Sequence, residues 1–455
     1  MTDPARPSLL YRSLRGLVRA AVKVFYGRVE ATGQEHLRGL GATMLTSNHP
    51  NSIVDPLLLG LFEDRQISFC ARDGLFKIPV FGSVLRRVGA VPLKRRSDYQ
   101  GQATDNQAAF AAVTDVLANR GVIAIFPEGK THGHLRIEPI KTGAARMAKG
   151  AIEGNPGLTL DVVPVGITYL VRHAFRSDVN IAFGPPIRIT PDADVGALTT
   201  QIGNALRELS VHIENVEDER LLAQVTAFVV DVRAEEGLDK GGQSPAERTA
   251  LVKRVVDAYR WLREVDPDKT DELRARLDHY MEVREELGLG GERPALQHRG
   301  ERRFNLSTRG RIAFLTLGAP VALFGLATNV APYVLLRLAL APLNLTTDRI
   351  ALFKILGGAT LFGAAYAAQI AWVTSTFGFV PGAIFGAALL PAALFSRRYL
   401  IELRLHRVQL RSLGTLIERG GGRLGALRVE RRELSAELAS LRKRYLEHLG
   451  EPATS

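Results

Sequence analysis

The sequence sets a histidine and a carboxylate in one short polar stretch, Ser47-Asn48-His49-Pro50-Asn51-Ser52-Ile53-Val54-Asp55-Pro56, between two apolar runs. An imidazole and a carboxylate can hold and pass a proton near neutral pH. Residues 42–46 before the stretch read as a short strand, and residues 57–62 after it as a buried helix. Ionisable residues at a strand end, just before a helix, are a common way to build a site in an α/β domain. From this stretch alone a plainer reading stays open: His49 caps a turn and Asp55 sits at a helix N-terminus.

Three later segments belong beside it. Residues 89–96 read as a strand that ends in the cations Lys94, Arg95 and Arg96. Residues 126–132 follow a strand with Glu128, Gly129, Lys130, Thr131 and His132. Residues 163–166, Val-Pro-Val-Gly, read as a strand with an embedded proline. Short strands are expected at 43–46, 67–71, 90–93, 122–126, 161–165 and 179–183. Helices are expected at 55–62, 75–88, 105–119, 143–151 and 193–211. The alternation predicts an α/β domain with a parallel or mixed sheet flanked by helices. In a parallel sheet the C-terminal strand ends gather at one edge, so His49, Arg95 and Glu128 would face one crevice.

The 455-residue chain carries a net charge of +12, which favours anionic partners: nucleic acid, an anionic membrane face or phosphorylated substrates. No nucleic-acid motif and no zinc-type spacing is present, so nucleic acid is not expected as a partner. His132 and His134 lack a nearby carboxylate partner of metal-ligand type, so no metal is expected. The one cysteine, Cys70, cannot form an intrachain disulfide, which suits a reducing compartment. Residues 1–28 hold a basic amphipathic helix with Leu10, Leu14, Leu17, Val18, Ala21 and Phe25 on one stripe, a form that suits a membrane interface. Residues 29–215 are the α/β domain, and residues 216–298 a charged, helical region with no catalytic constellation.

Residues 299–396 change character. No charge occurs from Ile312 to Leu336, nor across the 42 residues from Ile355 to Ser396. A straight helix of that second run would reach roughly 63 Å, about twice a bilayer's apolar thickness. The break around Thr374–Gly382 predicts a transmembrane hairpin over 355–396. Arginines flank the whole region on both sides, and positive flanks favour the cytoplasm. Both flanks can be cytoplasmic only with an even number of crossings, so residues 312–343 are expected to dip and return or to lie in the interface. Residues 397–455 form a basic helical tail, with a stripe from Leu427 to Leu449, suited to pack as a hairpin or to meet anionic lipid.

Taken together, the four ordered blocks resemble the phospholipid/glycerol acyltransferase family over roughly residues 10–215. The matching residues are Asn48, His49 and Asp55; Gly89 and Arg95; Phe126, Pro127, Glu128, Gly129 and Thr131; and Val163 to Gly166. The commonest family spacing has four residues between His and Asp, whereas five stand here. The longer spacing resembles the branch that acylates glycerol-3-phosphate or dihydroxyacetone phosphate. Six residues at about 100° each leave the two side chains near 240° apart on an ideal helix. His49 must therefore sit in the turn before the helix, and Pro50 biases it that way.

The resemblance implies an O-acyltransferase of glycerophospholipid biosynthesis, of the acyltransferase class that transfers groups other than aminoacyl. The donor would be acyl-CoA or acyl carrier protein and the acceptor glycerol-3-phosphate or dihydroxyacetone phosphate. The alternative acceptor is 1-acyl-sn-glycerol-3-phosphate. A thioester hydrolase and a non-enzymatic membrane scaffold are the remaining readings. His49 would act as general base with Asp55 holding its tautomer. Arg95, supported by Lys94 and Lys130, would bind the acceptor phosphate. Glu128, Gly129 and Thr131 would lie in the acceptor site, with Glu128 able to bind a glycerol hydroxyl. No cofactor beyond the acyl donor is required, and anionic lipids are expected partners. The chain is expected to be an integral membrane protein with its catalytic domain facing the cytoplasm.

Overall fold

The computed structural model describes residues 7–78, 81–99, 105–132, 134–170, 177–235, 243–287, 308–341, 347–418 and 422–451. At its centre lies a mixed sheet of β1 (Val29–Thr32), β2 (Ala42–Ser47), β3 (Ile67–Arg72), β4 (Val91–Leu93), β5 (Val122–Ile125), β6 (Leu160–Tyr169), β7 (Val179–Phe183) and β8 (Ile187–Arg188). Strands run in the order β1-β7-β6-β2-β5-β3-β4, with β8 on β6. β6, β2, β5, β3 and β4 are mutually parallel, while β7 and β8 run antiparallel to β6. β2 and β6 are buried at every residue, as strands covered on both faces must be.

The six expected strands are all present. β1 and β8 carry no clear strand signal in the sequence, because one has four half-buried residues and the other only two residues in all. Their pairing is also with distant segments, β1 with β7 and β8 with β6. The helices are α1 (Leu9–Phe25), α2 (Val54–Leu59), α3 (Phe81–Arg87), α4 (Gln107–Ala118), α5 (Gly143–Gly154) and α6 (Val195–Leu209). The helix expected over 75–88 is shorter, because Asp73–Lys77 forms a separate 3-10 turn.

Helices α4, α5 and α6 cover one sheet face around Met44, Ile123, Val162, Val113, Ala148 and Leu206. α5 presents Ala144, Ala145, Ala148 and Ala151 inward, so its backbone can approach the sheet closely. Gly166 serves the same end: a Cβ there would lie 2.6 Å from the Leu209 carbonyl carbon. The glycine of the Val-Pro-Val-Gly block is thus a packing requirement of β6 against α6.

α1 docks through Tyr11, Val22 and Phe25. The Tyr11 hydroxyl accepts from the Ile67 amide at 3.4 Å, and Arg15 Nη1 donates to the Glu63 carbonyl at 3.2 Å. Leu9, Leu10 and Leu17 remain exposed, so the helix keeps an uncovered apolar side.

The chain forms two compact units. One holds the described residues through Glu219 together with Gln243–Val256. In it, buried Asp178 pairs with Arg28 at 3.0 Å and with fully buried Arg248 at 2.9 Å. The strand-free reading of the following region agrees with helices Glu219–Glu235, Pro245–Val265 and Pro267–Glu286. In the second unit, Lys269 and Arg276 pair with Glu437, and Trp261 packs on Tyr445. The tail helix Gly422–Leu449 buries Leu427 and Leu434 of the expected stripe, together with Leu446, which lies outside it, while Leu449 is exposed.

In the apolar region Ala319–Leu340 is one continuous helix: no reversal occurs along it, and of the two expected forms of residues 312–343 a helix in the interface is compatible with it. At about 1.5 Å per residue it is roughly 33 Å long, enough to span a bilayer. Gly378, at φ +92°, separates the helices Thr347–Phe377 and Phe379–Glu418, so the break falls where expected. A Cβ on Gly382 would run into Thr374 and one on Gly386 into Ile370, so these two helices fold back on each other, and Ala319–Leu340 also packs antiparallel against Phe379–Glu418. Ser396 Oγ donates to the Ala322 carbonyl at 2.9 Å, and a Cβ on Gly325 would meet Ala392. The Tyr399 hydroxyl reaches the Leu315 carbonyl at 2.8 Å. Ala319–Ala339 and Phe379–Leu403 are long and apolar enough to cross a membrane, and only 17% and 22% of their apolar windows are buried. A soluble core helix would bury most of that surface. Residues 299–307 lie outside the described residues, as do the side chains of Arg309, Arg311, Arg404, Arg407 and Arg411.

Candidate active site

β2 ends at Ser47, and the next residue extends its hold on β6 through a side chain. Asn48 Nδ2 donates to the Ile167 carbonyl at 3.0 Å, and the Ile167 amide donates to Asn48 Oδ1 at 2.7 Å. His49 follows in the turn before α2, as the spacing requires. Ser52 in that turn has φ +50°, an uncommon conformation for a residue with a Cβ. α2 then begins at Val54, with Asp55 in its first turn.

The turn brings the two ionisable groups together. His49 Nδ1 lies 2.9 Å from Asp55 Oδ2. A carboxylate accepts only, so Nδ1 carries the hydrogen and Nε2 keeps its lone pair. Asp55 is fully buried and has two more donors: the Asn51 amide at 2.7 Å on Oδ2 and the Tyr169 hydroxyl at 2.6 Å on Oδ1. Tyr169 is two residues beyond Ile167 on β6, so both project to one face of the sheet. Burial, reinforced by the Asp55 charge, raises the Tyr169 phenol well above the usual tyrosine range, so it remains a donor. Burial and then Asp55 act in the same direction on Tyr26, whose hydroxyl accepts from Asn51 Nδ2 at 3.3 Å. The Phe126 ring stacks on the imidazole at 4.1 Å with 22° between planes.

Glu128 has a different place from the one expected. Its side chain is fully buried, and Oε1 accepts from the His49 backbone amide at 2.8 Å. Oε2 accepts from the Glu138 amide at 2.8 Å and faces His132 Nε2 at 2.6 Å. A carboxylate so enclosed holds the His49 loop. Lys130 is 60% exposed and pairs with Glu138 at 3.1 Å, so it too is engaged elsewhere. Thr131 is half-buried. His132 and His134 stack on each other at 4.3 Å, and among the described residues no cluster fit for a metal ion occurs.

Gly129 has φ +70°, and a Cβ there would run into the Lys141 ammonium. The Lys141 amide donates to the Pro127 carbonyl at 3.0 Å, which anchors this cation to the loop after β5. Lys141 makes no ion pair among the described residues. Sequence reasoning missed it, since nothing local links residue 141 to residue 129. It missed Tyr169 for the same reason.

Arg95 follows β4 on the same sheet edge, three strand steps from β2 in the order β2-β5-β3-β4. At about 4.8 Å per step the strand ends are roughly 14 Å apart. Arg95 is half-buried and makes no ion pair among the described residues. Burial lowers its guanidinium from the ordinary value, with Asp98 opposing. Lys94 is exposed, and its backbone is bracketed by the Asn106 amide at 2.9 and 3.0 Å. The Arg96 side chain lies outside those described.

The family model described as acyltransferase matches residues 28–168, a segment that contains the dyad, Glu128 and Arg95. Residues 28–168 are an acyltransferase-family domain. Among similar proteins, glycerol-3-phosphate O-acyltransferase 2 of Saccharomyces cerevisiae is 35% identical over 133 residues, covering 27% of this chain and 18% of that protein. Glycerol-3-phosphate O-acyltransferase 1 of the same yeast is 38% identical over 163 residues, 36% of this chain and 21% of that protein. The lyso-ornithine lipid O-acyltransferase of Brucella abortus is 27% identical over 222 residues, 42% of this chain and 79% of that protein. The chain thus matches about a fifth of the length of the yeast relatives. In the acyltransferase domain the His49–Asp55 dyad belongs to a turn held from three sides: β6 through Asn48 and Tyr169, the β5 loop through Glu128, and α2 through Asp55 itself.

Proposed function

We propose that this chain is a membrane-associated O-acyltransferase that moves a fatty acyl group from a thioester, on coenzyme A or acyl carrier protein, to a hydroxyl of glycerol-3-phosphate or dihydroxyacetone phosphate. The observation that carries this reading is the buried Tyr169–Asp55–His49 relay, with the Nε2 lone pair left for substrate. An alcohol is a poor nucleophile at neutral pH and must lose its proton as the new bond forms. His49 Nε2 takes that proton. Asp55 fixes the tautomer and stabilises the imidazolium that results. The hydroxyl oxygen attacks the thioester carbonyl, the tetrahedral intermediate collapses, and the thiolate leaves with the proton from His49.

Arg95 and Lys94, at the same sheet edge, supply the positive charge that a phosphorylated acceptor needs. Lys141, whose ammonium lies where a Gly129 Cβ would stand, joins them. The yeast relatives and the five-residue spacing favour glycerol-3-phosphate. The Brucella relative, matched over most of its length, favours a second reading in which the acceptor is a lysolipid such as 1-acyl-glycerol-3-phosphate. The uncovered side of α1 and the apolar helix pair supply the membrane contact, with the catalytic domain on the cytoplasmic side. Membranes containing the protein, given a labelled acyl thioester with each acceptor in turn, decide between the readings. Product with glycerol-3-phosphate supports the first. Product with the lysolipid alone overturns it in favour of the second, and free fatty acid without acceptor overturns both.

A further inference from the structure

We infer that His132 is held as an imidazolium against Glu128, and that this neutral ion pair is a positioning device for His49. His132 Nε2 lies 2.6 Å from Glu128 Oε2, and Nδ1 lies 3.1 Å from the His134 carbonyl oxygen. Both partners accept hydrogen bonds. A neutral imidazole has one N–H and one lone pair, so in either tautomer a lone pair would point at an oxygen. The doubly protonated ring satisfies both contacts.

Burial strengthens the case. The His132 and Glu128 side chains are 7% and 0% exposed. A buried carboxylate needs a partner of opposite charge or several donors. Glu128 has both: the His49 and Glu138 amides donate to it, and His132 supplies the charge. The other ionisable groups around His132 are Glu138, whose carboxylate also feels the His132 charge, and its partners His134 and Lys130. His134 Nε2 lies 3.3 Å from Glu138 Oε1, and Lys130 lies 3.1 Å from Glu138 Oε2. His49 itself faces Asp55 through its ring and Glu128 through its backbone amide.

The consequence concerns the base. Glu128 must grip the His49 amide, but a lone negative charge there would favour the protonated imidazole and withhold the free base. His132 cancels that charge while leaving the grip intact. Resting on the reading of His49 as general base, this makes His132 a positioning residue that sets the pH range of the reaction.

The test compares H132Q, which leaves Glu128 unneutralised, with E128Q/H132Q, which replaces the ion pair by a neutral pair. Two readouts are taken. One is the acid limb of kcat/KM against pH. The other is the pH dependence of His49 carbethoxylation by diethyl pyrocarbonate, followed by peptide mass spectrometry, which needs no substrate and so stands even if the acyltransferase reading fails. In H132Q both midpoints should move up by about 0.5–1 pH unit. In E128Q/H132Q they should return to the wild-type position. Unchanged midpoints in H132Q, or an equal shift in the double variant, overturn the inference. If H132Q does not fold, nitrogen NMR of the wild-type protein with 15N-labelled histidine decides. Two protonated ring nitrogens on His132 at pH 7.5 support the ion pair, and one bare nitrogen refutes it.

Discussion

Tyr169 donates its hydroxyl to Asp55 Oδ1 at 2.6 Å across 114 residues of sequence. It is the one side-chain contact from β6 that reaches the dyad among those described, and it leaves the outer carboxylate oxygen no freedom to rotate away from His49. Tyr169→Phe removes the donor and leaves a buried acceptor unmet, at a cost of about 1–3 kcal/mol in stability. We expect kcat to fall roughly 5–30-fold with little change in acceptor KM. Asp55→Asn should be far worse, about 10³–10⁴-fold, because the amide can offer a hydrogen to Nδ1 and favour the wrong tautomer. Steady-state kinetics of both variants check this; an Asp55→Asn enzyme within tenfold of wild type contradicts the assigned role.

Gly129 and Lys141 should behave as one unit. Gly129→Ala adds a Cβ where the ammonium sits and strains a left-handed backbone by about 1 kcal/mol. Lys141→Met removes the cation directly. Both should raise the acceptor KM by about 10–100-fold while the acyl-donor KM changes little, and the double variant should be no worse than the poorer single one. Strictly additive losses in the double variant would separate the two residues.

Cys70 is buried in β3, and burial pushes its thiol up to about 12. The thiol should resist iodoacetamide at pH 8 in the folded protein and react once denaturant is added. The same shift has a sign for stability. Above about pH 9 the unfolded thiol ionises while the folded one keeps its proton, so stability falls with rising pH by up to about 1.4 kcal/mol per unit until the folded group titrates. Denaturant titrations of Cys70→Ala should show that share of the alkaline loss removed, with activity retained. Loss of acyl transfer in this variant would point to a covalent acyl-enzyme.

Much of the catalytic domain could be read from residues alone. His49 falls in the turn and Asp55 in the first turn of α2, because a six-residue separation cannot be met on one helical face. The parallel strands that carry His49, Glu128 and Arg95 to one edge also follow from short apolar runs. What the residues did not disclose is tertiary. Glu128 looks like a ligand in sequence, yet three segments converge on its carboxylate and bury it. Tyr169 and Lys141 join the site only through pairings of high sequence separation. In the apolar region hydropathy shows which helices are apolar and where residues 355–396 break, while Ser396, Gly325 and Tyr399 show that Ala319–Leu340 lies beside Phe379–Glu418.

That helix pair makes a topological prediction. Antiparallel Ala319–Leu340 and Phe379–Glu418 place Thr308 and Leu403 at the same end and Gly378 at the other. Single cysteines at these three positions, in a Cys70→Ala background, should label with an impermeant maleimide in two groups. Thr308→Cys and Leu403→Cys should react from the cytoplasmic side and Gly378→Cys from the opposite one. Reaction of positions 308 and 403 from opposite sides would contradict the pairing.

If His49 Nε2 takes the proton from a phosphorylated acceptor alcohol, its removal must stop transfer. The purified protein in lipid vesicles, given an acyl thioester and glycerol-3-phosphate, is compared with His49→Ala. Wild type should yield acylated glycerol-3-phosphate and the variant should lose at least about 10³-fold, with thermal stability retained and acceptor binding little changed. Full transfer activity in His49→Ala would contradict it.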